Sequence, residues 1–267
     1  MLKARVITAL ILVAGLLSLL FFAPGIAVAA AFACVAAIGG WEWAGLMKME
    51  KAARMLFGGL VLVLCWMVRD SAEELFPLLW LLSALFWLLC SPWWLRRRWS
   101  LAGNDFGAYA LGGLLLLSTW ASLVSLYQRG PVILLAVLAA IWVADIAAYF
   151  TGRAFGRNKL APDISPGKTR EGAYGAMVGV VVYGLSVWPW LDVVRPHGLL
   201  AWLGLALALV LLTVLSIVGD LFESLLKRQA GIKDSSQVLP GHGGILDRID
   251  SLIPTLPLIA LMFIHYR

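Results

Sequence analysis

The run PVILLAVLAAIWVADIAAYFTG, residues Pro131–Gly152, decides the fold class of this chain. It is apolar almost throughout and has the length of about 20 residues that an α-helix needs to cross a bilayer. The exception is Asp145, which lies roughly 10 Å from the end of the run at a rise of 1.5 Å per residue. An acidic side chain at membrane depth is costly and is usually functional. The run predicts a transmembrane helix with one functional carboxylate, although an ion pair with Arg153 or Lys168 for structure alone is the alternative.

Similar apolar runs recur on both sides of this segment. The third, fourth and ninth runs are short, so the count of spans could be eight. The runs are Val6–Phe22, Ile26–Leu46, Met55–Val68, Leu75–Cys90, Phe106–Tyr127, Pro131–Gly152, Gly172–Leu191, Leu199–Gly219 and Ser251–His265. Hydrophobic residues make up 62% of the chain and charged residues 13%, whereas soluble proteins are about half apolar and a quarter charged. The sequence predicts an all-α integral membrane protein, a polytopic bundle of about nine transmembrane helices.

The charge pattern agrees with this assignment and predicts an orientation. Lysine and arginine gather in alternate loops, and the opposite loops contain only Arg69, Arg129, Arg195 and Arg267. Basic loops of membrane proteins face the cytoplasm. We therefore expect the N-terminus and the active site at the cytoplasmic surface, and we attribute the net charge of +6 to topology rather than to a nucleic-acid partner.

Two cytoplasmic loops, residues 153–171 and 220–250, hold most of the polar residues that are not simple flanking charges. A loop of about 30 residues in a tight bundle is usually functional. We therefore divide the chain into N-terminal transmembrane helices, residues 1–104, and a catalytic transmembrane region, residues 105–267, that contains both loops.

Acidic residues in the second loop have the spacing of a cation site. Asp220 shares a helix face with Ser224 and Lys227 if the eighth span continues as a helix, and Asp247 and Asp250 are three residues apart at the start of the ninth span. Magnesium takes oxygen ligands and often shares them with substrate phosphates. Asp220, Asp247 and Asp250 are therefore the predicted ligands of Mg²⁺, although the last two could merely cap a helix.

Glycines and cations lie between these acids. Glycine lets backbone N–H groups approach phosphate oxygens closely. The segment has Gly231, Gly241, Gly243 and Gly244 together with Lys227, Arg228, Lys233 and Arg248. Carboxylates, glycines and cations in one loop are typical of a phosphoryl-transfer site.

The segment Ser224–Asp250 also resembles the signature of the phosphatidate cytidylyltransferases, or CDP-diacylglycerol synthases. That signature requires Ser, Lys-Arg, Lys-Asp, His-Gly-Gly, Asp-Arg and Asp at fixed spacings, and every fixed position is met here. The resemblance implies that CTP and phosphatidic acid react to give CDP-diacylglycerol and pyrophosphate, with Mg²⁺ as the cofactor and membrane lipid as the surroundings. It implies a homodimer by resemblance alone.

The resemblance also assigns roles to the residues of the signature. The lipid phosphate would attack CTP in line without a covalent enzyme nucleophile, because positioning and charge neutralisation dominate such transfers. His242 is expected to contact phosphate or to shape the loop, since a phosphate nucleophile is already ionised near neutral pH. The expected catalytic residues are Lys227, Arg228, Lys233, Asp234, His242 and Arg248, and Ser224, Gly243 and Gly244 are expected to bind substrate.

A second segment, Ser165–Gly172, resembles the family's other cytoplasmic loop, Ser-Pro-any-Lys-Thr followed by Glu-Gly. It is not a P-loop, because residue 162 is Pro162 where that motif needs glycine and no buried strand precedes it. Ser165, Lys168, Thr169 and Glu171, with Asp145, are expected to bind substrate; a turn flanking a span is the alternative.

Three other functions remain open or are disfavoured. The motif of the CDP-alcohol phosphatidyltransferases is not found. A CTP-dependent enzyme acting on another membrane lipid phosphate stays open, because the sequence does not define a pocket for the lipid tail. A transporter is disfavoured, because its polar groups would lie near the bilayer midplane in repeated halves. The compact chain fits a bacterial inner membrane.

Overall fold

The computed structural model describes residues 2–101, 103–191 and 196–264, with the backbone alone for residues 2–6, 72 and 73. Helices dominate the described residues, and the one sheet is a two-stranded hairpin. The elements are α1 Leu2–Phe22, α2 Gly25–Leu46, α3 Lys51–Val68, α4 Ala72–Leu85, α5 Ser91–Arg97, α6 Asp105–Arg129, α7 Pro131–Phe155, β1 Lys159–Ala161, β2 Ser165–Thr169, α8 Arg170–Val187, α9 Gly198–Ala230, α10 Leu246–Ile249 and α11 Leu252–Met262.

Seven helical segments within the described residues are long and apolar enough to cross a membrane. Two shorter apolar helices, Ile7–Phe22 and Leu252–Met262, correspond to the first and last predicted runs. The protein is therefore an all-α polytopic membrane protein, as the hydropathy predicted. The total of about nine spans stays a prediction, and His265 lies outside the described residues.

Several helices are longer than the apolar runs that predict them. The runs Met55–Val68 and Leu75–Cys90 lie within continuous helical segments Lys51–Ser71 and Glu74–Arg97. Helix α9 has 33 residues and extends through the first third of the predicted loop 220–250. Hydropathy underestimates these helices because their polar ends complete the backbone hydrogen bonds without contributing apolar side chains.

Helix α6 lies at the centre of the bundle. In its most apolar stretch 72% of the residues are buried, compared with 22–44% in the other six long helices. Two buried indoles fasten α2 to α6, since Trp43 Nε1 donates to Ala108 O (2.9 Å) and Trp120 Nε1 donates to Ala29 O (3.0 Å). The core thus includes residues from both predicted parts of the chain, whose boundary after residue 104 stays a prediction.

The hairpin β1–β2 connects α7 to α8 and pairs Lys159 with Thr169 in antiparallel register. Its turn residue Ile164 is only 8% exposed and packs with Leu221 and Leu225 of α9. Thr169 then starts α8 as an N-cap, because its Oγ1 accepts from Gly172 N at 3.1 Å. These contacts hold the hairpin against the end of α9.

Candidate active site

The ends of α7, α8 and α9 surround a cavity of about 640 Å³ together with the hairpin and the segment that precedes α11. Nine of the predicted site residues line this cavity. They are Asp145, Lys168, Thr169, Asp220, Lys227, Asp234, Asp247, Arg248 and Asp250. The structure therefore brings together side chains from both predicted loops and from the seventh helix.

The other predicted site residues lie outside the lining of this cavity: Ser165, Glu171, Ser224, Arg228, Lys233, His242, Gly243 and Gly244. Several of them organise its walls instead. The Glu171 carboxylate accepts from the backbone N–H groups of Arg157 and Asn158 and from Asn158 Nδ2, which closes the base of the hairpin. Arg228 Nε donates to Ile164 O at 3.4 Å, and Ser224 Oγ donates to Asp220 Oδ1 at 3.3 Å.

Three carboxylates of the cavity influence one another. The backbone of α9 at Gly219 touches that of Asp250, since a Cβ on Gly219 would lie 2.4 Å from Asp250 O. Burial, together with the negative charges of Asp220 and Asp145, raises the pKa of Asp250 to about 7. A group of acidic side chains with such mutual repulsion favours a bound cation.

Lys168 supplies one positive charge to this group. Its Nζ lies 2.5 Å from Asp220 Oδ2. Both side chains are largely buried, with exposed fractions of 25% for Lys168 and 31% for Asp220. The ion pair connects strand β2 to helix α9. The alternative expected for Asp145, a direct pair with Lys168 or Arg153, does not occur among the described ion pairs.

Lys227 lies between two other carboxylates. Its Nζ is 2.5 Å from Glu223 Oε2, one helical turn away, and 2.5 Å from Asp247 Oδ1. Glu223 is 4% exposed, so the ammonium group lies against a carboxyl group that water hardly reaches. Lys227 therefore has a structural task here, and its catalytic role stays a prediction.

Asp247 organises the loop between α9 and α10. Its Oδ2 accepts from Ser235 N (2.9 Å) and Gly244 N (2.8 Å), and Ser235 Oγ lies 2.9 Å from the same atom. Burial alone would raise the pKa of Asp247, but these donors and Lys227 outweigh it and lower the pKa below its usual value. The Gly244 amide is engaged by this carboxylate, while its predicted contact with phosphate is untested.

The donor chemistry fits a hard divalent cation. Asp145, Asp220 and Asp250 offer oxygen ligands, which Mg²⁺ prefers. In the described part of the chain no three acidic, histidine or cysteine side chains already stand at metal-ligand spacing, so binding would require side-chain adjustment. The ligand roles of Asp220, Asp247 and Asp250 stay predictions, and the hydrogen bonds of Asp247 leave it less free than Asp145.

Sequence reasoning left Glu42 out of the site, although its carboxylate contacts the signature loop. Its Oε2 accepts from Leu246 N at 2.6 Å across 204 positions of sequence. The available signal was an acidic residue within an apolar run, between Trp41 and Trp43. No spacing in the sequence connects that position with the loop.

Comparison with known proteins agrees with the resemblance of the signature. A sequence model of the cytidylyltransferase family matches residues 3–266. A phosphatidate cytidylyltransferase of Pseudomonas aeruginosa is 40% identical, over 98% of this chain and 97% of that protein. Those of Haemophilus influenzae and Brucella suis are 33% and 35% identical, over 98% and 83% of this chain and 99% and 78% of theirs. The match over nearly the whole length confirms the inferred family, and this chain belongs to the cytidylyltransferase family.

Proposed function

We propose that this protein transfers CMP from CTP to phosphatidic acid, giving CDP-diacylglycerol and pyrophosphate in phospholipid biosynthesis. The supporting observation is a cavity with acidic and basic walls at one end of an apolar bundle, in a chain whose full-length relatives are named phosphatidate cytidylyltransferases. The chain is a nucleotidyltransferase and an integral membrane protein.

The reaction needs two anions to meet. An oxygen of the lipid phosphate forms a bond to the α-phosphorus of CTP, and the bond from that phosphorus to the β-phosphate oxygen breaks, with its electron pair leaving on pyrophosphate. A phosphate monoester has a second pKa near 6 and is already ionised at neutral pH. Positioning and charge neutralisation are therefore the main tasks of the protein.

The residues of the cavity suit these tasks. Asp220 and Asp250, with Asp145 beside them, would hold Mg²⁺, which would screen the repulsion between the reactants. Arg248 and Lys168 place positive charge on the cavity wall, where phosphate oxygens would bind. Neutralisation of Asp220 by a cation would free Lys168 for such a contact.

The proposed orientation follows from the substrates and the charge pattern. CTP is cytosolic, while the acyl chains stay in lipid, so the cavity would face the cytoplasm at the membrane surface, in the inner membrane of a bacterium. The excess of Lys and Arg in the loops 153–171 and 220–250 supports this placement. The homodimer stays a prediction from resemblance.

Purified protein in detergent tests the reaction directly. With CTP labelled on its α-phosphate, we expect label in the lipid product and one pyrophosphate per transfer with phosphatidic acid, and little with an isoprenoid phosphate. Transfer to the isoprenoid phosphate instead would favour the open alternative, and no transfer to any lipid phosphate would reject both.

Asp220→Asn tests the role of the cavity in the same assay. The neutral amide loses both the cation ligand and the partner of Lys168, so we expect transfer to fall by roughly 100-fold or more. The control is Asp70→Asn, the same chemical change at a carboxylate that is 78% exposed and lies outside the cavity lining. Full activity of Asp220→Asn would remove this residue from the site.

A further inference from the structure

Glu42 is a fully buried carboxylate in an apolar helix. Its exposed fraction is 0%, and it lies in α2 four residues before the helix ends at Leu46. A buried charge without strong partners would be strongly destabilising. Its partners therefore explain why the fold tolerates it.

Both oxygens of Glu42 receive hydrogen bonds from the loop between α9 and α10. Oε1 accepts from Ser236 Oγ at 2.5 Å and from Ile245 N at 3.0 Å. Oε2 accepts from Leu246 N at 2.6 Å, and Ser235 Oγ lies 3.1 Å away. Each oxygen thus contacts one residue at the beginning of the loop segment 235–246 and one at its end.

The same segment is tied to the cavity through Asp247. Ser235 Oγ lies within hydrogen-bond distance of both Glu42 and Asp247, so one hydroxyl connects the two carboxylates. Gly244 fits between them, since a Cβ there would lie 2.1 Å from Ser235 Oγ and 2.4 Å from Glu42 Oε1. A change at Glu42 must therefore be felt at Asp247, which lines the cavity.

Between its two ends, the segment 235–246 has little regular secondary structure. Its described secondary structure is limited to turns and one bridge between Leu239 and Gly243, and residues 237, 238, 240 and 241 are exposed. Apolar packing holds the last two residues, since Leu246 is 1% exposed and belongs to the core and Ile245 packs against it. The middle of the segment has no such packing, so the polar contacts at its two ends decide how it closes.

We propose that Glu42 is a positioning residue that closes the segment 235–246 and thereby sets Asp247 and Arg248 in the cavity wall, where the phosphate oxygens of CTP would bind. Glu42 touches no cavity atom itself and acts through Ser235, Ser236 and the amides of Ile245 and Leu246. The positioning stands on these hydrogen bonds alone, whereas its effect on CTP rests on the proposed function.

Glu42→Gln tests the proposal with little change of shape. The amide nitrogen presents hydrogens to donors, so at least one backbone N–H loses its acceptor. We expect at least one of the amides of Ile245 and Leu246 to exchange with deuterium roughly ten-fold faster, in line with the loss of a hydrogen bond to a charged group. The matched control is Glu50→Gln, a glutamate eight positions away that is exposed and should leave this exchange unchanged.

Kinetics separate positioning from a purely structural role. For Glu42→Gln we expect kcat to fall and KM for CTP to rise, together lowering kcat/KM by roughly ten-fold or more, with KM for phosphatidic acid within two-fold. A merely structural role would lower the yield of folded protein or Tm while each folded molecule kept its kcat and KM.

A second variant keeps the proposal decidable if Glu42→Gln does not fold. Ser236→Ala removes the 2.5 Å contact from the loop side, outside the membrane helices, and should shift exchange and KM for CTP in the same direction. If Glu42→Gln folds, the effects of the two substitutions should be less than additive in the double variant, because Ser236 and Glu42 are in direct contact.

Unchanged exchange at Ile245 and Leu246 in the folded variants would overturn the proposal, and so would unchanged kinetic constants beside altered exchange. If the unaltered protein transferred no CMP, the proposed function would fail separately, and the exchange measurement alone would decide the positioning.

Discussion

At the scale of single residues, the acidic side chains of the cavity divide into two groups. Asp247 pairs with Lys227 and accepts hydrogen bonds from the loop, and Glu223 pairs with Lys227. Among the described ion pairs, the group Asp145, Asp220 and Asp250 has one, between Asp220 and Lys168. The second group therefore favours an external cation more strongly than the first. Asp145 belongs to this group and is a candidate ligand together with Asp220 and Asp250.

This division leads to a prediction about magnesium and pH. A carboxyl whose pKa is raised to about 7 is largely protonated at pH 6 and largely ionised at pH 8. Because Mg²⁺ must displace that proton, its affinity should rise with pH, by about ten-fold from pH 6 to pH 8. Calorimetric titration of the protein with MgCl₂ at both values measures this. Asp250→Asn should bind Mg²⁺ more weakly and lose most of the pH dependence; equal affinity of the unaltered protein at pH 6 and pH 8 would contradict the assignment.

Site residues could be identified from the sequence only where they lie near one another along the chain. Asp220, Ser224 and Lys227 are related by helical periodicity, and Asp247 and Asp250 lie in the same signature, so these could be named in advance. Glu42 and Ser235 are 193 positions apart, and only the packing of α2 brings them together. Spacing also could not reveal that Lys227 and Gly244 N would be engaged by Asp247.

At the scale of elements, the hairpin β1–β2 is the part that hydropathy could not predict. Residues 153–171 were expected as a polar loop, and they form a short sheet because Ile164 has an apolar site against α9. Ile164 directly precedes strand β2, which contains Lys168. The packing of Ile164 therefore helps to position Lys168 for its ion pair with Asp220.

Ile164→Ser should therefore impair the site without unfolding the bundle. The polar side chain loses the contact with Leu221 and Leu225, the hairpin detaches more often, and Lys168 spends less time at the cavity. We expect kcat/KM to fall by roughly ten-fold, with the thermal unfolding of the bundle nearly unchanged. Lys159→Ala, at an exposed position of the same hairpin, should retain activity. If both variants were equally active, the docking of Ile164 would be irrelevant to the reaction.

At the scale of the whole molecule, the helical membrane fold was predictable because apolar length is a strong signal. The helix ends were not, because α3, α4 and α9 continue into polar residues. The cavity lies where α7 ends and α8 begins, and the end of α6 near Gln128 lies at the opposite end of the bundle, before α7 starts. Orientation in the membrane can therefore be measured at these two places.

Cysteine labelling tests the proposed orientation. In a chain whose native cysteines Cys34, Cys65 and Cys90 are replaced by alanine, Lys159→Cys and Gln128→Cys each introduce one exposed thiol. A membrane-impermeant maleimide should label Lys159→Cys only in inverted vesicles and Gln128→Cys only in right-side-out vesicles. The reverse pattern would place the cavity outside the cytoplasm and separate it from CTP.

Helix α9 has one further consequence. Its 33 residues correspond to about 50 Å, and the stretch from Gly198 to Asp220 alone spans about 33 Å. The hydrocarbon layer of a bilayer is about 30 Å thick, so Asp220 stands close to the height of the phosphate groups when Gly198 lies at the other surface. In a bilayer of shorter or longer acyl chains the same rod would tilt or protrude differently. The thickness of the host bilayer would then determine the distance between the cavity carboxylates and the plane of the lipid headgroups.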